Sequence, residues 1–363
     1  MKKKFEISVF VRGVAKHLNQ IYSGLYDLHR LGKIQLRLES GKSAEDIDED
    51  REILKVMVRS LDEGKLQRIC FDMGDGGRLR QKNVEGCDWY FKRGYYEPNF
   101  QNLPQQLKEK VLPYGLNYNC ISNRGESFRI RLALKSIRNS GRTNLTTFKE
   151  ALRLAISPFR FIDKNCYMAQ SNYEVEPHEY SCPKVLFQSR VFDPDDFEQG
   201  NRSVIHELNE MRANITRALR SYFGSIFIGG IERNSYSVKK YSDCLTPHSA
   251  RQIDYLKTMK ECLVCVSTIG LHKSTPWKMA EYLAASRCIV TENIFYELPV
   301  PLREGVNFFQ FSTPEQCVKI CEKILENPDL SKTIRQSNWT YYQKYVRPDA
   351  IVWRCLETAM QKS

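Results

Sequence analysis

The sequence predicts an α/β protein built from two Rossmann-like domains, and three observations carry the prediction. The chain has 363 residues, more than one ordinary hydrophobic core accommodates, so two domains are the natural expectation. Its most informative stretch, Glu261 to Phe311, reads as buried strand, polar loop, helix and second strand, the repeating unit of a parallel sheet. Both halves also begin alike, each with a strand leading through a loop into an amphipathic helix, and no shorter period repeats.

Phe5 to Val11 alternates around apolar residues and is the first strand. The start MKKKFEISVFV is basic like a signal peptide, but Glu6 and the short apolar run argue for a strand instead. A polar loop carrying His17 leads into a helix with Tyr22, Leu25, Leu28 and Leu31 on its buried face. Ile34 to Leu38 is a second strand. Between Glu45 and Gly64 the acidic start and the spacing of Ile53, Leu54, Val56, Met57 and Leu61 predict an amphipathic helix. Ile69 to Asp72 is a short strand closing on Asp72, followed by the loop Gly74-Asp75-Gly76-Gly77. Cys87 to Phe91 is another strand, ending in Lys92-Arg93-Gly94. Thr147 to Ile156 has helical periodicity and stops before Pro158. Asp163 to Pro183 is polar, aromatic-rich and without period. It reads as the linker, placing the domains at 1–165 and 180–340.

The second half opens with a strand from Lys184 to Gln188, ending at Ser189-Arg190. The spacing of Val204, Leu208, Met211, Ile215, Leu219 and Tyr222 predicts a long helix over 203–222. Ser225 to Ile228 is a strand running into Gly229-Gly230, and a helix follows around 248–259. Cys262 to Ser267 is a fully buried strand. A loop with Gly270 then reaches Ser274-Thr275-Pro276, which signals a helix start with Pro at the first helical position. A loop feeding a helix N-terminus presents N–H groups and a positive dipole end to a diphosphate. Glu281, about one turn in, is placed to accept from the hydroxyls of a ribose. Cys288 to Thr291 is the next strand. Thr313-Pro314-Glu315 caps a helix through Leu325, and Leu330 to Val346 is another. Pro348 bends the chain into a last helix with Ile351, Val352, Cys355 and Leu356.

The run Trp277-Lys278-x-x-Glu281-Tyr282-Leu283-Ala284, followed by Glu292, Glu304-Gly305-x-Asn307 and a strand ending in Phe311, resembles the donor half of GT-B glycosyltransferases. The resemblance is to the enzymes that build bacterial surface polysaccharides. Pro113-Tyr114-Gly115-Leu116-Asn117-Tyr118 is similar to a recurring stretch of their acceptor domain. The resemblance implies a GT-B fold, with two Rossmann-like domains facing across a cleft and the segment 341–363 crossing back to the first domain. It implies transfer of a sugar from a nucleotide-sugar donor to a saccharide or lipid-linked acceptor, with no metal and no cofactor beyond that co-substrate. Arg190, Lys273 and Lys278 become candidates for the leaving diphosphate, with Gly229, Gly230, Gly270, Ser274 and Thr275 as further donor contacts and Glu281 for the ribose. Retaining relatives carry a second Glu eight positions before the ribose Glu. Lys273 stands there, so retaining stereochemistry does not carry over. An inverting reaction needs a base on the acceptor side. The candidates are Asp72, Asp75 and His17, with Lys92 and Arg93 as acceptor-side cations.

Composition narrows the alternatives. The 12 cysteines are scattered rather than arrayed as a disulfide framework, which points to a reducing cytoplasm. Cys262 and Cys265 form a CxxC inside an apolar strand and without a second pair, so buried thiols are expected there. Asp193-Pro194-Asp195 has the D-x-D form of GT-A metal sites, but its Asp-Pro context reads as a turn. The six histidines lack ligand spacing. A net charge of +12 attracts anions. Without a dense basic stripe no nucleic acid is expected, whereas peripheral contact with anionic membrane at its inner face fits. Two readings compete with transfer: a nucleotide-sugar epimerase of the same fold, and a basic non-enzymatic module binding nucleic acid or acidic membrane.

Overall fold

The computed structural model describes residues 3–39, 51–140, 145–156, 167–179 and 181–361. The chain divides into two α/β units: Met1–Asn172 with Tyr296–Pro301 and Gln343–Ser363, and Tyr173–Phe295 with Leu302–Tyr342. The architecture of two Rossmann-like units is therefore the one the structure has.

In the first unit, β1 (Phe5–Phe10), β2 (Ile34–Glu39), β3 (Ile53–Ser60), β4 (Leu66–Asp72), β5 (Trp89–Lys92) and β6 (Val111–Pro113) form one sheet in the order β2-β1-β3-β4-β5-β6. All neighbours are parallel except β3, which runs antiparallel to both β1 and β4. This corrects the helix expected over Glu45 to Gly64. From Ile53 on, Leu54, Val56 and Val58 are buried while Lys55, Met57 and Arg59 are not, a period of two. Their spacing suits a helix face equally well. Pairing with two partner strands decides, because a mid-sheet strand satisfies its backbone on both sides. Residues 45–50 lie outside the described residues. A separate parallel pair joins β7 (Cys120–Ile121) to β8 (Met168–Ala169), so the described part of the expected linker begins as structure of the first unit.

The helix Asn19–Arg30 buries Ile21, Tyr22, Leu25 and Leu28 against this sheet, and the C-terminal helix Pro348–Gln361 completes the same core with Ile351, Val352, Cys355 and Leu356. Gly24 makes that approach feasible. A Cβ there would lie 2.2 Å from the Pro348 carbonyl oxygen.

In the second unit, β9 (Cys182–Ser189), β10 (Phe227–Ile231), β11 (Cys262–Ser267), β12 (Cys288–Thr291) and β13 (Phe308–Gln310) are parallel throughout, in the order β10-β9-β11-β12-β13. The fully buried run of β11 fits a central strand covered on both faces. The helices Arg202–Phe223 and Pro314–Glu326 pack Ile215, Leu219, Cys317 and Cys321 onto Val264, Val266 and Val290. The cysteines among the described residues are free thiols, all but Cys182 buried, where they act as small apolar side chains. Among the described residues no helix is long and apolar enough to cross a membrane.

Candidate functional site

The strand order of the second unit reverses direction between β9 and β11, and in open α/β sheets the ligand crevice opens beyond the carboxyl ends of the strands at such a reversal. One side chain that no sequence motif marks organises this edge. Arg212, buried in the helix Arg202–Phe223, donates to the Arg190 carbonyl (2.7 Å), the Thr268 hydroxyl (3.1 Å) and the Ile269 carbonyl (2.8 Å). It thereby ties the loop after β9 to the loop after β11. Burial pulls its pKa down to about 10, which leaves it charged at neutral pH. The Arg190 side chain is exposed and leans, like Arg212, on the ring of Phe192. From the next strand end Glu292 accepts from the Ile269 N–H (2.9 Å), which pins the same loop.

The loop then folds tightly ahead of the helix Trp277–Ala284. The Gly270 N–H donates to the Ser274 carbonyl (2.8 Å) and the Ser274 N–H to the Leu271 carbonyl (3.0 Å). His272 and Lys273 sit at φ 56° and 58°, consecutive left-handed conformations that side chains rarely adopt. Pro276 is the residue before the helix rather than its first residue, and no side chain caps the start. Lys273 is exposed, 4.8 Å from the Phe295 ring centroid. Lys278 turns inward instead, donating to the Gln188 carbonyl and lying over the Tyr255 ring. Burial lowers its pKa, against the pull of Glu232 and Glu281.

Glu281 occupies the second turn of that helix and is only 5% exposed. Burial pushes its carboxyl up to about 7, with Lys278 pulling the other way. No donor among the described residues reaches the carboxylate. Ser267, buried at the end of β11, also has a hydroxyl without a partner. A buried carboxylate that has the charge of Lys278 nearby but no hydrogen-bond donor is costly, and hydroxyl donors would relieve that cost.

Two expected donor contacts are corrected. Gly229 and Gly230 lie inside β10, paired with Phe187 and Gln188, not in a loop beyond it. Their φ values of 124° and 129°, and a Phe187 carbonyl oxygen 1.9 Å from where a Gly229 Cβ would stand, assign them to close strand packing. Asp193 accepts from the Asp195 N–H (3.1 Å), which makes Asp193-Pro194-Asp195 a turn. In Glu304-Gly305-x-Asn307 the buried Asn307 accepts from the Arg303 N–H and donates to Asn338, so this motif joins a turn to the helix Pro328–Tyr341.

In the first unit, Ile53, Asp72 and Lys92 stand in one row across β3, β4 and β5. Asp72 is fully buried and accepts from Gly74 N–H (2.9 Å), Arg80 (2.6 Å), Lys92 (3.1 Å) and the Tyr90 hydroxyl. Three of these donors converge on Oδ1 and the phenol holds Oδ2, so full burial and two neighbouring cations make Asp72 a scaffold anion of the sheet rather than a group open to a substrate proton. Lys92, equally buried, is its counter-ion and also reaches the Gly74 carbonyl, so it is no acceptor-side cation. Just beyond this row the other candidates meet. Arg93 is paired with Asp75, whose carboxylate is half-exposed and 3.8 Å from His17 Nε2. Glu52, another residue that no motif signalled, is 3.5 Å from His17 Nδ1. The Asn117 side chain donates to the His17 carbonyl (2.9 Å), which connects the Pro113–Tyr118 stretch to this loop. Burial, reinforced by Arg93, lowers the His17 pKa to about 4 against the influence of Asp75. At neutral pH it is a neutral imidazole with a lone pair to offer.

No family model and no curated protein matches the chain. Solved structures similar to it include the UDP-GlcNAc 2-epimerase from Neisseria meningitidis bound to UDP-GlcNAc, at 13% identity and TM-score 0.36, covering 78% of this chain and 64% of that one. S. aureus MnaA with UDP is 10% identical at TM-score 0.39, covering 98% and 95%. A mutant of S. aureus TarM, in complex with Fondaparinux, alpha-GlcNAc-glycerol and UDP, is 11% identical at TM-score 0.40, covering 85% and 64%. The chain thus spans under two thirds of the length of the first and the last of these. Likeness at this level assigns no activity.

Proposed function

We propose that this chain is an enzyme that binds a nucleotide sugar in its second unit and transfers the sugar to a saccharide or lipid-linked acceptor. The observation that carries the reading is Glu281, a buried carboxylate that no hydrogen-bond donor among the described residues reaches. It suits a pair of vicinal hydroxyls, which supply the missing donors. Arg190, Lys273 and the uncapped helix start supply positive potential for a diphosphate, and Arg212 and Glu292 hold the loops that present them. Lys278 stabilises that edge through Gln188, while its charge faces Glu281.

For the chemistry, His17 accepts the proton of an acceptor hydroxyl as that oxygen bonds to the anomeric carbon. The bond from that carbon to the phosphate oxygen breaks, its electron pair leaving with the nucleoside diphosphate. Asp75 and Glu52 steady the imidazolium that forms. A thermal-shift screen of nucleoside diphosphates and nucleotide sugars tests the donor site, since a specific ligand stabilises the native state. Stabilisation by none of them would refute the reading. A product isomeric with the donor, with no acceptor consumed, would reassign the chemistry to epimerisation.

Two variants separate binding from chemistry. Arg190→Ala is expected to weaken nucleoside diphosphate binding about ten-fold, ~1.4 kcal/mol, with little change in stability because its side chain is exposed. Equal affinity by calorimetry would remove Arg190 from the site. His17→Gln is expected to lower turnover by about a hundred-fold or more while nucleotide affinity stays unchanged. The parent's rate should stay level through neutral pH and fall as His17 protonates near its pKa of about 4. A rate loss centred on the ordinary histidine range would contradict a buried neutral imidazole.

A further inference from the structure

We infer that the paired helices Glu126–Ser140 and Leu145–Ile156 of the first unit, with the pocket beside them, form a docking surface for an anionic lipid bilayer. Four large apolar side chains stand out from these helices: Leu134 is 60% exposed, Leu145 64%, Phe148 47% and Leu152 47%. On the second helix, Leu145, Phe148 and Leu152 make one outward stripe, while Thr147, Ala151 and Leu154 make the buried one. That helix is therefore apolar towards the protein and apolar towards solvent. A water-facing surface has no reason to cluster such side chains, and exposed patches of this kind mark interaction sites.

The same two helices carry cations. Arg131, Lys135 and Arg138 follow one another at helical spacing on the first helix, and Lys149 and Arg153 do so on the second. The acidic residues of the pair, Glu126 and Glu150, are engaged with Arg129 (3.5 Å) and Arg51 (2.9 Å), so the two helices carry an excess of cations. Next to it opens a pocket of about 450 Å³ between the first helix and the edge strand β2. The stacked rings of Tyr26 and Phe128 line it together with Leu38, Arg37, Arg131 and Arg138.

The mixture selects the occupant. A free phosphate would use the guanidinium groups and leave the leucines wet. A neutral bilayer would cover the leucines and gain nothing from the cations. An anionic bilayer uses both, with Leu134, Leu145, Phe148 and Leu152 at the acyl boundary and the basic side chains among the headgroup phosphates. Docking here is independent of the sugar-nucleotide chemistry of the second unit.

Co-sedimentation of the full chain with vesicles tests this, using phosphatidylcholine alone and phosphatidylcholine mixed with phosphatidylglycerol. The parent should bind the mixed vesicles and not the neutral ones, with binding falling as salt rises. Arg131→Gln with Arg138→Gln should lower partitioning roughly five-fold per charge. Phe148→Ser with Leu152→Ser should lower it about ten-fold or more. These side chains are exposed, so an unchanged far-UV spectrum and Tm will show that the variants fold. Failure to bind anionic vesicles at low salt, equal binding to neutral vesicles, or parent-like binding by both pairs of variants would each overturn the assignment.

Discussion

Asp72→Ala is expected to cost about 3–5 kcal/mol of folding stability, because it leaves the Lys92 ammonium buried without a counter-ion. The loss includes the Gly74 N–H, Tyr90 hydroxyl and Arg80 contacts that converge on the same carboxylate. Asp72→Asn should cost less, since one oxygen still accepts from neutral donors. Asp75→Asn should cost under ~1 kcal/mol, because Asp75 is half-exposed and its pairs are screened by solvent. Denaturant unfolding of the three variants orders them. Were Asp72→Ala as stable as the parent, the buried pair would not be the scaffold of this edge, and Asp72 would return as a candidate base.

Glu281→Gln is expected to move stability and binding in opposite directions. The carboxyl is pushed up to about 7 from the usual 4.5, so between those values the folded state holds a proton that the unfolded chain has released. Stability is then fullest below about pH 4.5 and declines as pH rises through about 7. Gln carries no charge to desolvate. At pH 8 the variant should therefore be more stable than the parent by on the order of 1–3 kcal/mol, with the difference vanishing near pH 4. Nucleoside diphosphate affinity should nevertheless fall about ten-fold or more, ~1.4 kcal/mol, because Gln replaces one of two acceptors with a donor. The parent's affinity should rise with pH as the carboxylate ionises, and the variant should lose that slope. Thermal unfolding and calorimetry across pH 5 to 8 read both effects. A variant that binds nucleotide as the parent does would end the ribose role, whatever its stability.

The two variants show why carboxylates that look alike in sequence differ in use. Asp72 and Asp75 stand three residues apart beside the same glycines, and local pattern offers no way to rank them. The sheet ranks them. The row Ile53, Asp72, Lys92 places one carboxylate beneath two cations and a phenol, whereas Asp75 lies past the strand end with His17 and Arg93. Glu281 was legible from the helix start and its place in the helix. Its burial was not, because its neighbours include Tyr255 from another helix, and Lys278 beside it is drawn inward by Tyr255 and the Gln188 carbonyl, both distant in the chain from Glu281. Arg212 carried no signal at all. Within its helix it is one arginine among several, and only the meeting of the β9 and β11 loops gives it three acceptors.

By itself the sequence determined the class of the fold and the elements built from local period. These include the strands around Ile7, Phe71, Phe187 and Val264, the helix Trp277–Ala284, and the bend before the last helix. Apolar period, turn residues and helix starts act within a few residues, so they can be read without knowing what packs against them. Tertiary structure alone decided that Ile53–Ser60 is a strand, that Gly229 and Gly230 pack within β10, and which charged groups are buried in pairs and which lack a hydrogen-bond donor. Those outcomes depend on partners tens of residues away, and the energy of a strand or a buried charge is set by that partner rather than by its neighbours in sequence.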